Sequence, residues 1–471
     1  MNRIMYEAFV NHPKSLIIAP AGYGKTYTIA KSLSFTKGTQ LILTHTNAGV
    51  ASIKYKLRKL NIDAKYCVET ISGFAQKYVH AFLPKSKIPE QDTPAYFPFI
   101  ITEANRLFKI RLIRKIITAN YDGLFVDEYQ DCSISQHNLI NILVEIIPTH
   151  ILGDPLQGIF DFNNEELVNF ERDLSNYTIT GTLDIPWRWK DSNFELGDDL
   201  KLIREKLEKG EDIDLDKTKN IEKYKVNEVD LYIHSKFYNR KLWNIIGSEH
   251  SLLLIYPQSH NMYGRLKVIK TFGNTLNLVE AMDGSEFYKF SKLIDASTTD
   301  TIYPTLYSLS ESLFSKSVIN NWFGTKALKH KREEDDKVII KPIEHFLEQL
   351  QKNISLNHIA KILKLICKLP NNKCYRKELF NDLCKATEIA WFQKQSVYDA
   401  MLKIRNSKRH IGKSILGKSI GTTLLTKGLE FDTVVILDAQ KINCPKNFYV
   451  AVTRATKRLI IFTNNFELRF N

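Results

Sequence analysis

The chain has 471 residues, too many for one ordinary core and enough for two to four packed domains. Hydrophobic content of 44% and charged content of 25% exclude a disordered chain, and no run of about 18 apolar residues marks a membrane span. The formal net charge of +14 suits a polyphosphate partner, although richness in Lys, Ile and Asn would raise the charge without one. Arg3 and Glu7 put charge too early for a signal peptide. The six cysteines (Cys67, Cys132, Cys367, Cys374, Cys384 and Cys444) are scattered, which suits reduced thiols and predicts a cytoplasmic protein.

The first 160 residues alternate strand-like and helix-like segments. Leu16 to Ala19 is a short apolar run that stops at Pro20, and a helix is expected from Lys25. Leu41 to Leu43 is a second strand, followed by a helix over Val50 to Leu60. Gly123 to Asp127 and Thr149 to Asp154 are a third and a fourth. Continuous apolar strands separated by helices predict an α/β fold with a parallel sheet covered on both faces, and chemistry at the carboxyl ends of its strands. Residues 75–120 interrupt the alternation with helical sequence. A second α/β region is expected from near Thr180, with strands at Ser251 to Ile255, Thr433 to Leu437 and Arg458 to Phe462. Residues 285–415 turn helical, with apolar spacing over Ile343 to Gln351, Ile359 to Leu369 and Lys377 to Phe392. The charge run Lys329 to Lys337 reads as a solvated loop.

Two motifs carry chemistry. Ala19-Pro20-Ala21-Gly22-Tyr23-Gly24-Lys25-Thr26 follows the first strand and opens a helix. Its glycines let backbone N–H groups approach phosphates at a helix N-terminus, Lys25 reaches the β- and γ-phosphates, and the Thr26 hydroxyl is placed for Mg²⁺. Leu124-Phe125-Val126-Asp127-Glu128 is an apolar strand ending in two carboxylates. Asp127 suits Mg²⁺ through water, and Glu128 suits the general base that activates water.

Asp127-Glu128-Tyr129-Gln130-Asp131 resembles the DExQD box of the UvrD/Rep family of superfamily 1 DNA helicases, and further matches follow in that family's order. The resemblance implies an α/β fold of two RecA-like P-loop domains with parallel sheets and small helical accessory insertions, with ATP and Mg²⁺ held between the two domains. Thr44 to Val50 is similar to a motif that contacts single-strand phosphates, here through Thr46 and Asn47. Thr70 to Ala75 resembles the next motif, with Ser72 at a usual His. In Leu152-Gly153-Asp154-Pro155-Leu156-Gln157, similar to the coupling motif, Gln157 is implied to sense the γ-phosphate; Phe160 and Phe162 are implied to stack on bases, and Asn163 stands at a usual Arg.

Asp184-Ile185-Pro186-Trp187-Arg188 resembles the start of the second domain, where Trp187 would stack on adenine and Arg188 would contact the γ-phosphate. Thr422 to Phe431 is similar to a late motif, with Thr422 toward DNA, Glu430 toward the ribose and Leu424 at a usual His. Tyr449 to Ala455 resembles the arginine-finger motif, which assigns Arg454 that part. Met5 stands where the family reads adenine with Gln.

The expected domains are RecA-like 1–74 with 121–180, RecA-like 181–284 with 416–471, and helical inserts 75–120 and 285–415. The expected activity is ATP-dependent translocation on single-stranded or tailed duplex DNA, 3′ to 5′ by resemblance. The alternative is an ATP- and DNA-binding accessory or sensor that licenses a partner, such as a nuclease in phage defence, without net unwinding. A small-molecule P-loop kinase would leave Gln157, Arg188 and Arg454 without a role.

Overall fold

The protein is described by a computed structural model over residues 3–91, 93–159, 165–226, 236–257, 262–272, 275–279, 285–411 and 417–470. It divides into two compact units, one of residues 1–261 with 410–471 and one of residues 262–409.

The first unit contains two parallel sheets, so the chain has the α/β fold of two RecA-like domains. Its first nine strands are β1 (Lys14–Ile18), β2 (Thr39–Thr44), β3 (Lys65–Thr70), β4 (Gly123–Val126), β5 (Thr149–Gly153), β6 (Thr178–Thr182), β7 (Ile213–Asp214), β8 (Ile221–Lys225) and β9 (Leu252–Ile255). After β10 (Asn277–Leu278) in the second unit come β11 (Lys418–Gly421), β12 (Phe431–Ile436), β13 (Ala455–Thr463) and β14 (Glu467–Leu468).

The first sheet runs β3-β2-β4-β5-β1-β6. Every residue of β4 and β5 is buried between helix-covered faces, including Thr149 and His150 of β5, whose side chains bond to the Ile147 carbonyl and the Ser15 hydroxyl. β4, β5 and β1 are neighbours, so the loops after Ile18, Val126 and Gly153 converge at one edge of the sheet. That convergence places Lys25, Asp127 and Gln157 together. The first sheet reaches Thr182, because β6 pairs in parallel with β1.

Between β3 and β4 the chain forms helices Ile71–Phe82, Tyr96–Leu107 and Arg111–Asn120. Their apolar faces share one cluster with Leu41, Leu124, Val126 and Ile151 of the sheet. Within the first unit the second sheet runs β11-β9-β12-β13-β8, all pairs parallel. β7 and β14 form a short antiparallel pair.

The second unit is mainly helical and has its own apolar core, formed by residues such as Phe287, Leu306, Trp322, Leu363 and Leu383. Its longest helix is Glu334–Lys352, and helices Leu356–Cys367 and Lys377–Gln393 occupy the segments with helical apolar spacing. The charge run is only half a loop. Glu334, Asp335 and Asp336 form the first turn of the longest helix, where acidic side chains complement the positive end of its dipole. No described helix is long and apolar enough to cross a membrane.

Candidate nucleotide site

The loop after β1 is built to leave its amides open. Gly22 and Gly24 have φ of 77° and 92°, the left-handed region that a Cβ disfavours. Gly24 caps the helix Lys25–Leu33 without a side-chain bond. The backbone N–H groups of Gly22, Gly24, Lys25 and Thr26 have no acceptor among the described residues. Orphan donors clustered at a helix N-terminus are what a phosphate chain fits. The Lys25 ammonium is buried, donates to the Ala19 carbonyl at 3.0 Å and lies 3.7 Å from Glu128 Oε2. Tyr23 is buried beneath the loop, and its burial raises the phenol to about 12. Residues 188 and 189 close the loop's other side: a Cβ at Gly22 would lie 2.7 Å from the Trp189 ring and 2.9 Å from Arg188 Cβ.

The acid pair ends β4. Asp127 is buried, and among the described residues its carboxylate accepts one hydrogen bond, from the Glu128 N–H at 2.9 Å. Burial, and then the charge of Glu128, pushes the Asp127 carboxyl up to about 7. A buried carboxylate with so few donors fits a cation, and Thr26 stands nearby in the chain's fold with a hydroxyl that has no protein partner among the described residues. Glu128 is held the other way. Burial raises it, but the charges of Lys25 and Lys427, the Gln130 hydrogen bond and the charge of Arg454 outweigh burial and lower it. Glu128 also sits at φ 55°, a left-handed conformation costing on the order of 1–3 kcal/mol in a residue other than glycine. Gln130 Nε2 donates to Glu128 Oε2 at 2.5 Å and fixes its carboxylate.

Gln157 lies in the turn after β5, with its Nε2 donating to Asp154 Oδ2 at 2.7 Å. The helix Trp187–Lys190 after β6 and the loops of the second sheet supply the remaining groups. Arg188 donates to the Thr453 carbonyl and to Glu430 Oε1, each at 2.6 Å. Arg454 is buried and holds the carbonyls of Val450 and Leu429 at 2.9 and 3.3 Å. Burial, reinforced by the Arg188 charge, lowers its guanidinium to about 10, which marks a cation with too few counter-charges. Lys427 crosses from the second sheet to donate to the Asp131 carboxylate and the Gln157 carbonyl.

The structure thus brings Lys25, Asp127, Glu128, Gln157, Arg188, Glu430 and Arg454 around one cleft within the first unit. Gln130, Asp154, Trp189 and Lys427 also belong to it and were not read from sequence as site residues. For Gln130, Asp154 and Lys427 a signal existed, since each lies inside a motif. Trp189 anchors the arrangement by donating its indole N–H to the Ala455 carbonyl at 2.8 Å.

Trp187 and Tyr27 are exposed and both approach Gly24: a Cβ there would lie 3.3 Å from Trp187 Cδ1 and 3.9 Å from Tyr27 Cβ. Two aromatic faces hold a base without reading its edge. Met5, whose sulfur lies 3.3 Å from a Cβ built at Gly181, offers no amide to do so. We therefore expect kcat/KM for GTP within about tenfold of that for ATP. A preference for ATP above roughly a thousandfold would contradict this, because discrimination of that size needs hydrogen bonds to the base.

Thr46 and Thr422 end β2 and β11 as helix N-caps, accepting from Gly49 N–H at 3.0 Å and Leu425 N–H at 3.4 Å. Thr46 is exposed and Asn47 begins its helix; Thr422 is buried. Capping uses each hydroxyl as an acceptor and leaves its own hydrogen available to an incoming phosphate. Phe160 and Phe162, with Asn163, lie outside the described residues.

The fold and this cleft define a P-loop nucleotide-binding protein with two RecA-like sheets. Residues 95–178 match the UvrD/REP helicase N-terminal domain, and residues 341–463 match the viral superfamily 1 RNA helicase core domain. The first match contains Asp127, Glu128 and Gln157, and the second contains Thr422, Glu430 and Arg454. The chain is also similar to the RecBCD enzyme subunit RecB of Buchnera aphidicola, at 27% identity over 169 residues, 35% of this chain. It spans only 14% of that relative's length. Among solved structures it is similar to an Arterivirus nonstructural protein 10 (helicase) in complex with DNA, at 11% identity and a TM-score of 0.36, covering 97% of this chain and 62% of that one. The two family matches fall in chain order, one on the first sheet and one reaching into the second, so each of these segments is similar to a superfamily 1 helicase domain.

Proposed function

We propose that this chain is an ATP-driven DNA translocase of UvrD/Rep type that moves along single-stranded DNA, 3′ to 5′, and separates tailed duplexes. The observation that carries the proposal is the joining of two sheets across one cleft: Lys427 of the second sheet on Asp131 of the first, with Arg454 lowering Glu128 through its charge. Cations of one sheet placed on the acid pair of the other tie phosphate chemistry to the relation between the two sheets, which is the coupling a motor uses.

In this reading the open amides of the phosphate loop and Lys25 bind the triphosphate, while Trp187 and Tyr27 take the base and Glu430 the ribose. Thr26 and Asp127 hold Mg²⁺, which supplies positive charge at the phosphate oxygens. Glu128 accepts a proton from the attacking water. Arg188, from the helix Trp187–Lys190 after β6, and Arg454, from the turn before β13, stabilise the charge that spreads over the transferring phosphoryl group, with Gln157 sensing its presence. Arg188 is paired with Glu430, so contact with the γ-phosphate requires it to turn from that carboxylate. Closing and opening of the cleft then alternate the grip of Thr46, Asn47, Phe160 and Phe162 on one side and Thr422 on the other. Domains 1–74 with 121–180 and 181–284 with 416–471 are assigned to the two halves of the motor and the inserts 75–120 and 285–415 to accessory roles, although β6 carries the first sheet to Thr182 and the helical unit begins at residue 262. The place of work is the cytoplasm.

A strand-displacement assay on 3′- and 5′-tailed duplexes tests the proposal. Wild-type protein is expected to displace the 3′-tailed strand, and Lys25→Ala to abolish displacement. ATP hydrolysis without displacement at saturating DNA would instead favour the licensing role beside a partner such as a nuclease, in phage defence or elsewhere.

A further inference from the structure

Arg204 is a buried cation in no motif of the chain. It lies on the helix Phe194–Glu208, ten residues past its start, and is 6% exposed. Its Nη1 donates to Asp154 Oδ1 at 2.7 Å and to the Tyr449 hydroxyl at 3.0 Å, and its Nη2 pairs with Glu208 at 2.7 Å. The guanidinium also lies 5.3 Å from the centre of the Tyr449 ring.

Both of its inner partners are junctions. Asp154 is fully buried, and its Oδ2 accepts from Gln157 Nε2 at 2.7 Å and from the phosphate-loop N–H of Ala21 at 3.2 Å. Its own N–H donates to Gln130 Oε1 at 2.9 Å, the same side chain that fixes Glu128. Tyr449 lies in the helix Pro445–Val452, which leads directly into Thr453 and Arg454 and packs against the turn Pro155–Gln157. One carboxylate therefore touches the phosphate loop, the γ-phosphate sensor and the support of the acid pair. One cation ties that carboxylate to the helix carrying the arginine finger.

We infer that Arg204 is a positioning residue that links Gln157 and the phosphate loop to the helix carrying Arg454, so that the two sheets' phosphate-sensing groups move as a set. The inference rests on the ATP-driven reading above. The chemistry demands arginine. A planar fork holds two acceptors in fixed directions while stacking near a third group, whereas an ammonium is a point charge that sets no such direction. A buried Asp154 carrying Gln157 would lose that direction once the fork is gone, although its other donors keep it in place. Loss of the link should leave nucleotide binding and spoil the coordination of Gln157 with Arg454.

Three variants test it: Arg204→Lys keeps the charge, Arg204→Met removes it, and Tyr449→Phe removes only the hydroxyl. Thermal melts and circular dichroism establish folding, and Tyr449→Phe keeps the test decisive if Arg204→Met does not fold. Steady-state ATPase is read with and without single-stranded DNA. For Arg204→Lys and Tyr449→Phe we expect the DNA-stimulated kcat to fall about tenfold, KM for ATP to stay within about threefold, and the ratio of stimulated to unstimulated rates to drop. A structural role alone would lower the melting temperature without that split. If the wild type is DNA-stimulated and both variants keep its stimulated kcat within about twofold, or raise only KM, Arg204 is not a positioning residue. If the wild type itself shows no nucleic-acid stimulation, the motor reading and this inference fall together.

Discussion

Glu128→Gln binds ATP and single-stranded DNA with near-wild-type affinity and turns over about 10²–10⁴-fold more slowly, the range of a lost general base. The substitution keeps the size of the side chain and its hydrogen-bonding reach. Gln130 and Lys25 still have an oxygen to meet, so the loop's geometry survives. What disappears is the ionised form, which Lys25, Lys427 and Arg454 favour over the cost of burial. Single-turnover hydrolysis with nucleotide binding measured in parallel checks this. Turnover within about threefold of wild type would remove Glu128 from the base role.

Arg454→Ala has an effect of similar size on a different step. An arginine supplied to the transferring phosphoryl group contributes roughly 10³–10⁵ in rate. Arg454 is desolvated, held by backbone carbonyls and near Arg188, so its charge lacks a carboxylate partner in hydrogen-bond contact. Its removal should lower kcat by that factor, with ATP affinity changed much less. The buried site complicates a simple truncation, since carbonyls of Val450 and Leu429 lose a donor, so Arg454→Lys is measured beside it. Lys restores charge but not the fork, and the expected rate remains well below wild type. Equal loss of kcat and of nucleotide affinity would assign Arg454 to binding rather than to the transition state.

The parts of the site legible in the sequence were those where backbone and chemistry coincide. A buried strand that ends in Pro20, Gly22 and Gly24, or in Asp127 and Glu128, announces both the turn and the ligand. The strand at Gly123 ends one residue before Asp127, and the phosphate loop, the acid pair and the Gln157 turn fall where the parallel order β4-β5-β1 brings strand ends together. Long-range pairing was not legible. No local pattern tells that Arg204 reaches Asp154, 50 residues away, or that Lys427 reaches Asp131. The left-handed φ of Glu128 was hidden too, because nothing in a carboxylate's type signals it. The run Lys329 to Lys337 misled because charge density alone marks solvent exposure, and its acidic half suits the first turn of an exposed helix as well as a loop.

The threonines show a subtler limit. Thr46 and Thr422 look like phosphate contacts by motif, and they are also N-caps with defined amide partners. Both roles use the same hydroxyl without conflict, so type and position cannot separate them. A substitution there would lose cap energy of roughly 1 kcal/mol as well as any DNA contact.

The most direct test of the motor reading is the ATPase rate measured side by side with no nucleic acid, single-stranded DNA, duplex DNA and RNA. Single-stranded DNA should give the highest rate, well above the rate without nucleic acid, with a stimulation that weakens as salt rises. The same rate under all four conditions would contradict it.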